Sequence, residues 1–211
     1  MTGAKICGLT TPETVAAAVE GGAAYLGFNF FAKSPRYVTA ARAAVLAEPA
    51  RGRAKLVAVT VDPSDAELAA IVEALRPDLI QLHGRESPGR LAAVRELTGA
   101  MVIKALPIAG PEDVATAEAF AEADHLMFDA KPPAGSALPG GSGAAFDWRL
   151  LGGLELHRPW FLAGGLNATN VGEAIRITGA PLVDVSSGVE SAPGVKQPAL
   201  ITAFLGAVRR T

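Results

Sequence analysis

Residues 160–188 read WFLAGGLNATNVGEAIRITGAPLVDVSSG, and this stretch decides the fold. It holds two short strand-like runs, WFLAGGL (160–166) and PLVDVSSG (181–188), with a helix pattern from Asn167 to Thr178 between them. The first run ends in Gly164 and Gly165, and the second in Ser186, Ser187 and Gly188. Paired glycines permit close backbone approach. Serine hydroxyls, consecutive backbone N–H groups and a helix N-terminus capped by Asn167 attract anions. Glycines at these places could simply tighten two strand-to-helix turns. Their pairing on the last two units is the pattern of a phosphate cradle at the rim of a barrel of alternating strands and helices. Gly164, Gly165, Ser186, Ser187 and Gly188 are therefore the expected phosphate-binding set.

Six further strand-like runs precede this stretch: AKICG (4–8), AYLGFNF (24–30), KLVAVTV (55–61), DLIQLHG (78–84), MVIKAL (101–106) and DHLMFDA (124–130). Helix patterns follow most of them. They run from about Pro12 to Gly21 with Thr11 as N-cap, near Ala40 to Ala47, from Ser64 to before Pro77, from Ser87, from near Pro111, and from Pro198 to Arg209. Alternation of this kind predicts parallel strands joined by right-handed crossovers. An open doubly wound sheet is the rival. Eight units with phosphate-type loops on the last two favour an α/β fold closed into one (β/α)8 TIM barrel, spanning 1–211 as a single domain. The longest irregular stretch, Ala130 to Ala145, adjoins Asp129 and is placed to act as a lid.

The 211 residues are half hydrophobic and only 6% aromatic, which suits short strands buried on both faces. A net charge of −2 without a basic run speaks against nucleic acid or an anionic membrane as partner. One cysteine cannot form an internal disulfide, which fits a reducing compartment. No signal-peptide pattern opens the chain, and no apolar run is long enough to span a bilayer, so a cytoplasmic location is expected. No HExxH, CxxC, P-loop or Rossmann glycine pattern suggests a metal or a nucleotide cofactor.

Strand alternation puts Lys5 with Cys7, Gln81 with His83, Met127 with Asp129, and Leu182 with Asp184 and Ser186 on inward faces. Near the rim, such polar groups can find a partner in a substrate. Cys7 is either a small buried hydrophobe or a rim thiol acting as nucleophile or proton acceptor, with His83 the one rim histidine able to activate it. Asp129 can be a structural cap or a general acid or base. Arg36, in the loop after the second strand, can be a surface arginine or a fork for a carboxylate or phosphate. Asp184 can bond a substrate hydroxyl or amine, or orient the neighbouring loop.

At these residues the chain resembles the phosphoribosylanthranilate isomerase family of tryptophan biosynthesis. The likeness is carried by KICGLT (5–10), YLGFNF (25–30), KSPRYV (33–38), QLHG (81–84), IKAL (103–106), GGSGAAFDW (140–148), AGGLN (163–167), DVSSGVE (184–190) and PGVK (193–196). Asn29, where an apolar residue is common, and Arg85, where an acidic one is frequent, depart from the family pattern. The resemblance implies a (β/α)8 barrel and a cofactor-free, metal-free Amadori rearrangement of N-(5-phosphoribosyl)anthranilate. It implies Cys7 as general base, Asp129 as general acid and Arg36 as the carboxylate ligand, with Gln81, His83 and Asp184 as further substrate contacts. A monomer is expected, with a dimer as the alternative. The rivals are a dual-substrate phosphoribosyl isomerase also serving histidine biosynthesis, a cysteine hydrolase using Cys7 and His83, and a non-catalytic phosphosugar-binding barrel.

Overall fold

Short apolar runs with little polar alternation cannot face water, and here they form a ring of strands covered by helices. The computed structural model describes residues 2–132, 135, 140, 141, 143 and 145–211. Strands β1 (Gly3–Cys7), β2 (Tyr25–Asn29), β3 (Lys55–Thr60), β4 (Leu79–Leu82), β5 (Met101–Ile108), β6 (His125–Ala130), β7 (Trp160–Leu162) and β8 (Leu182–Val185) pair in parallel and in chain order. β8 pairs with β1, with Lys5 beside Asp184, and this closes the barrel.

Helices α1 (Pro12–Glu20), α2 (Ala40–Ala47), α3 (Asp65–Leu75), α4 (Pro88–Thr98), α5 (Pro111–Ala115), α6 (Val171–Thr178) and α7 (Pro198–Arg209) cross over the outside. Their starts follow local chemistry. Thr11 caps α1, and Ser64 with Glu67 forms a reciprocal capping box on α3.

Two layers of apolar packing result. Between strands and helices lie Ile6, Leu26, Phe28, Ile80, Phe128, Leu162, Val183 and Phe204, among others. Inside the barrel lie Tyr25, Val57, Leu79, Ile103, Met127 and Phe161. The interior changes character along its axis. At the base Tyr25, His125 and Phe161 form an aromatic plug, with the Tyr25 and Phe161 rings edge to face at 5.1 Å. Toward the strand C-termini the inward positions become Cys7, Asn29, Gln81, Asp129 and Asp184.

The structure departs from expectation at the start of α6 and after β8. α6 begins at Val171 with Asn170 in the cap position, rather than at Asn167. The Asn167 carboxamide oxygen instead accepts from the Thr169 backbone N–H (2.8 Å), the Thr169 hydroxyl (2.6 Å) and the Asn170 N–H (3.2 Å), which makes a turn before the helix. Between β6 and β7 the described residues hold a short 3-10 turn, Trp148–Leu151, and no α-helix. After β8 the chain forms an unforeseen antiparallel hairpin, β9 (Glu190–Ala192) and β10 (Val195–Lys196), before α7. The expected lid falls on a segment in which residues 133, 134, 136–139, 142 and 144 lie outside the described ones.

Candidate active site

A pocket opens at the C-terminal ends of the strands. Cys7 stands at the end of β1 and Asp129 near the end of β6, three strands away around the ring. Both line the pocket, as do Arg36, Gln81, His83, Asp184, Gly164, Gly165, Ser186 and Ser187. Gly188 does not line it. A Cβ there would lie 1.9 Å from the Leu166 carbonyl oxygen, so Gly188 is where the loops after β7 and β8 press together. Gly164 has φ +84°, a conformation that suits glycine, and its Cα face abuts the backbone of Ala130. The Asn170 side chain donates to the Gly165 carbonyl and orients the β7 loop. The Ser186 hydroxyl donates to the Cys7 carbonyl and ties the β8 loop to β1.

The polar side chains form three connected groups. In the first, the Gln81 amide nitrogen lies 2.9 Å from His83 Nδ1, and His83 Nε2 lies 3.2 Å from Asp129 Oδ2. When Gln81 donates to Nδ1, the ring carries its proton on Nε2 and presents it to Asp129. The other Asp129 oxygen accepts from the Ala130 N–H at 2.9 Å. Gln81 Oε1 is buried and has no partner among the described residues. Cys7 and His83 share no hydrogen bond among the described residues; His83 is bonded to Gln81 and Asp129 instead.

In the second group the wholly buried Lys5 pairs with Asp184 at 2.7 Å. Burial pushes the Cys7 thiol up, and Asp184 adds to this. Lys5 and Lys196 oppose it, and the thiol remains above its ordinary value.

In the third group Glu190 holds Arg36 in a fork, Nε to Oε1 at 2.7 Å and Nη2 to Oε2 at 2.9 Å. Arg36 Nη2 also donates to the Gly141 carbonyl at 3.3 Å. Lys196 Nζ bonds Glu190 at 2.7 Å and the Ser186 carbonyl at 3.1 Å. Burial favours the neutral form of Glu190, but Arg36 and Lys196 outweigh it and hold the carboxyl below its usual range. Burial also disfavours the Arg36 cation, and Glu190 more than restores it.

Sequence reasoning missed Glu190 and Lys196. Their one signal is the spacing of a buried acid and base on either side of a Gly194 turn, which reads equally as a surface hairpin. Asn29 lines the pocket too, and its side-chain oxygen accepts from the Phe31 N–H at 2.9 Å.

Comparison with known proteins agrees with this architecture. The family model described as "N-(5'phosphoribosyl)anthranilate (PRA) isomerase" matches residues 4–207. The N-(5'-phosphoribosyl)anthranilate isomerase of Caulobacter vibrioides is 60% identical over 210 residues, 99% of this chain and 96% of that protein. The crystal structure of phosphoribosyl anthranilate isomerase from Thermotoga maritima superposes with a TM-score of 0.90 at 31% identity, covering 100% of both chains. A structure of phosphoribosyl anthranilate isomerase in complex with reduced 1-(o-carboxyphenylamino)-1-deoxyribulose 5-phosphate superposes at 0.85 and 30%, again over 100% of both. A rim that joins thiol, carboxylate, guanidinium and two Gly/Ser loops, on a chain matched almost end to end, leads to one assignment: the chain belongs to the N-(5'-phosphoribosyl)anthranilate isomerase family.

Proposed function

We propose that this chain converts N-(5-phosphoribosyl)anthranilate to 1-(2-carboxyphenylamino)-1-deoxyribulose 5-phosphate, an Amadori rearrangement in tryptophan biosynthesis, with Cys7 as base and Asp129 as acid. The observation that carries this assignment of roles is the placement of Cys7 and Asp129 on separate walls of one pocket, between Arg36 and the β7 and β8 loops. The phosphate sits against the loops of Gly164, Gly165, Ser186 and Ser187, with Gly188 holding those loops together. The substrate carboxylate meets the part of the Arg36 guanidinium that Glu190 leaves free. Gln81, His83 and Asp184 face the sugar between these anchors.

With both ends anchored, Asp129 gives its proton to the furanose ring oxygen, and the C1–O bond breaks to leave an iminium. The Cys7 thiolate then takes the C2 proton. The resulting enolamine gains a proton at C1 and loses its hydroxyl proton to become the ketone. Positioned acid and base groups of this kind contribute ~100- to 10,000-fold each.

The whole chain acts as one barrel domain. Among the described residues no helix is long and apolar enough to cross a membrane. We place the enzyme in the cytoplasm, where its one cysteine stays reduced.

The test is a fluorescence assay for consumption of freshly prepared phosphoribosyl anthranilate. Wild type should consume it. Cys7→Ala should lose about 100-fold or more in kcat while still binding a reduced product analogue. A wild-type enzyme that binds the analogue and turns over no substrate would leave only the non-catalytic binding barrel.

A further inference from the structure

We propose that Lys5 is a positioning residue for this reaction, its buried ammonium lowering the cost of forming the proton-accepting Cys7 thiolate while fixing Asp184 against the pocket wall. The inference rests on Cys7 being the base.

Lys5 lies two residues before Cys7 on β1, so both side chains point into the barrel. It is fully buried inside the barrel and does not itself line the pocket, whereas Cys7 does. A buried ion pair adds little stability over an apolar pair of similar volume, so stability does not explain a lysine at this place. Geometry gives a better reason. One ammonium N–H reaches Asp184 Oδ1 at 2.7 Å, directly across the β1–β8 pairing. The other two donors remain available. The neighbouring position on β2 is Gly27, where a Cβ would come 3.1 Å from Lys5 Cε and 3.2 Å from Cys7 Sγ. The absent side chain leaves room for the end of the Lys5 chain and the Cys7 sulfur to share one space beside β2.

The charges facing Cys7 come from several elements. Lys5 lies on its own strand, Asp184 on β8, Lys196 on β10 and Arg36 in the loop after β2. His83, just after β4, and Asp129 on β6 line the same pocket. Burial alone would keep the thiol protonated, and Lys5 is the largest opposing influence. Burial also acts against the Lys5 cation, but Asp184 and Cys7 outweigh it and keep the ammonium charged. Asp184 therefore has two opposed effects, securing the Lys5 charge and repelling a thiolate. The thiol, ammonium and carboxylate together are neutral before deprotonation and carry one negative charge after it.

The arrangement predicts shifts of opposite sign. Cys7 is the one cysteine in the chain, so alkylation by a small neutral reagent, followed against pH, reads its ionisation alone. In Lys5→Met the midpoint should rise, slowing alkylation at neutral pH by about tenfold or more. In Asp184→Asn it should fall, because the thiolate becomes the nearest counter-ion of Lys5. A folded Lys5→Met with the wild-type profile would overturn the proposal, as would two variants shifting in the same direction. If Lys5→Met does not fold, Asp184→Asn decides alone, and an unchanged or raised midpoint rejects the coupling. Expected shifts together with normal turnover by Cys7→Ala would leave the charge coupling intact and remove Cys7 as the base.

Discussion

Arg36 is gripped before any ligand arrives. Glu190 occupies its Nε–Nη2 edge, and Lys196 secures Glu190 while also holding the carbonyl of Ser186 in the β8 loop. Glu190→Gln should therefore raise KM about tenfold with little change in kcat, the size expected for losing one charge-assisted contact. A phosphosugar ligand without the aryl carboxylate should bind this variant and wild type alike. Equal weakening of both ligands would mean that Glu190 shapes the phosphate loop instead. Asp129→Asn keeps size but removes the transferable proton, so ring opening should become limiting. A C2-deuterated substrate should then show a smaller isotope effect than with Cys7→Ser, and an equal or larger one would exchange the two roles. Cys7, Asp129 and Asp184 were legible as rim positions because each lies at or next to a strand end, and Arg36 because it stands in the loop after β2. Glu190 and Lys196 were not, because their meaning depends on a hairpin that folds back over the rim.

Every barrel strand was legible as an element, since parallel strands covered on both faces leave continuous apolar runs. Helix starts were legible where a hydroxyl caps the first turn, as at Thr11 and Ser64, and misplaced where two asparagines compete, as at Asn167 and Asn170. The foot of β6 carries a separate consequence. His125 is buried beside Tyr25 and Phe161, its Nδ1 without a partner. Burial lowers its pKa, Lys55 adds to this, and Asp124 opposes it less strongly. The unfolded chain, with histidine near its ordinary value of about 6.5, then takes up the proton first as pH falls. Stability from this group is complete above that pH and declines below it. Urea midpoints measured between about pH 7.5 and 5.5 should fall less in His125→Phe than in wild type. Parallel slopes would show that His125 protonates without cost in the folded barrel.

On the scale of the whole molecule, the first and last strands meet and α7 covers their outer side. α7 buries Ile201, Phe204, Leu205 and Val208, packs beside α1, and is tied to it by the Arg209 guanidinium on the Gly21 carbonyl. At about 1.5–3 kcal/mol for each large apolar side chain, this one helix contributes an amount comparable to the net stability of an ordinary domain. A chain ending before Pro198 should lose its cooperative thermal transition, followed by far-ultraviolet circular dichroism. Retention of a sharp transition would show that the seam holds without its cover. The seam also sets a timetable. Lys5 and Cys7 are made well before Asp184, which completes their charge balance from 179 residues further along the chain. Until β8 arrives, β1 has an unpaired edge and an uncompensated cation facing the barrel interior. Contacts this distant in sequence form slowly. The enzyme's chemistry therefore cannot begin before β8 is made, and until then the nascent barrel carries a sticky open edge.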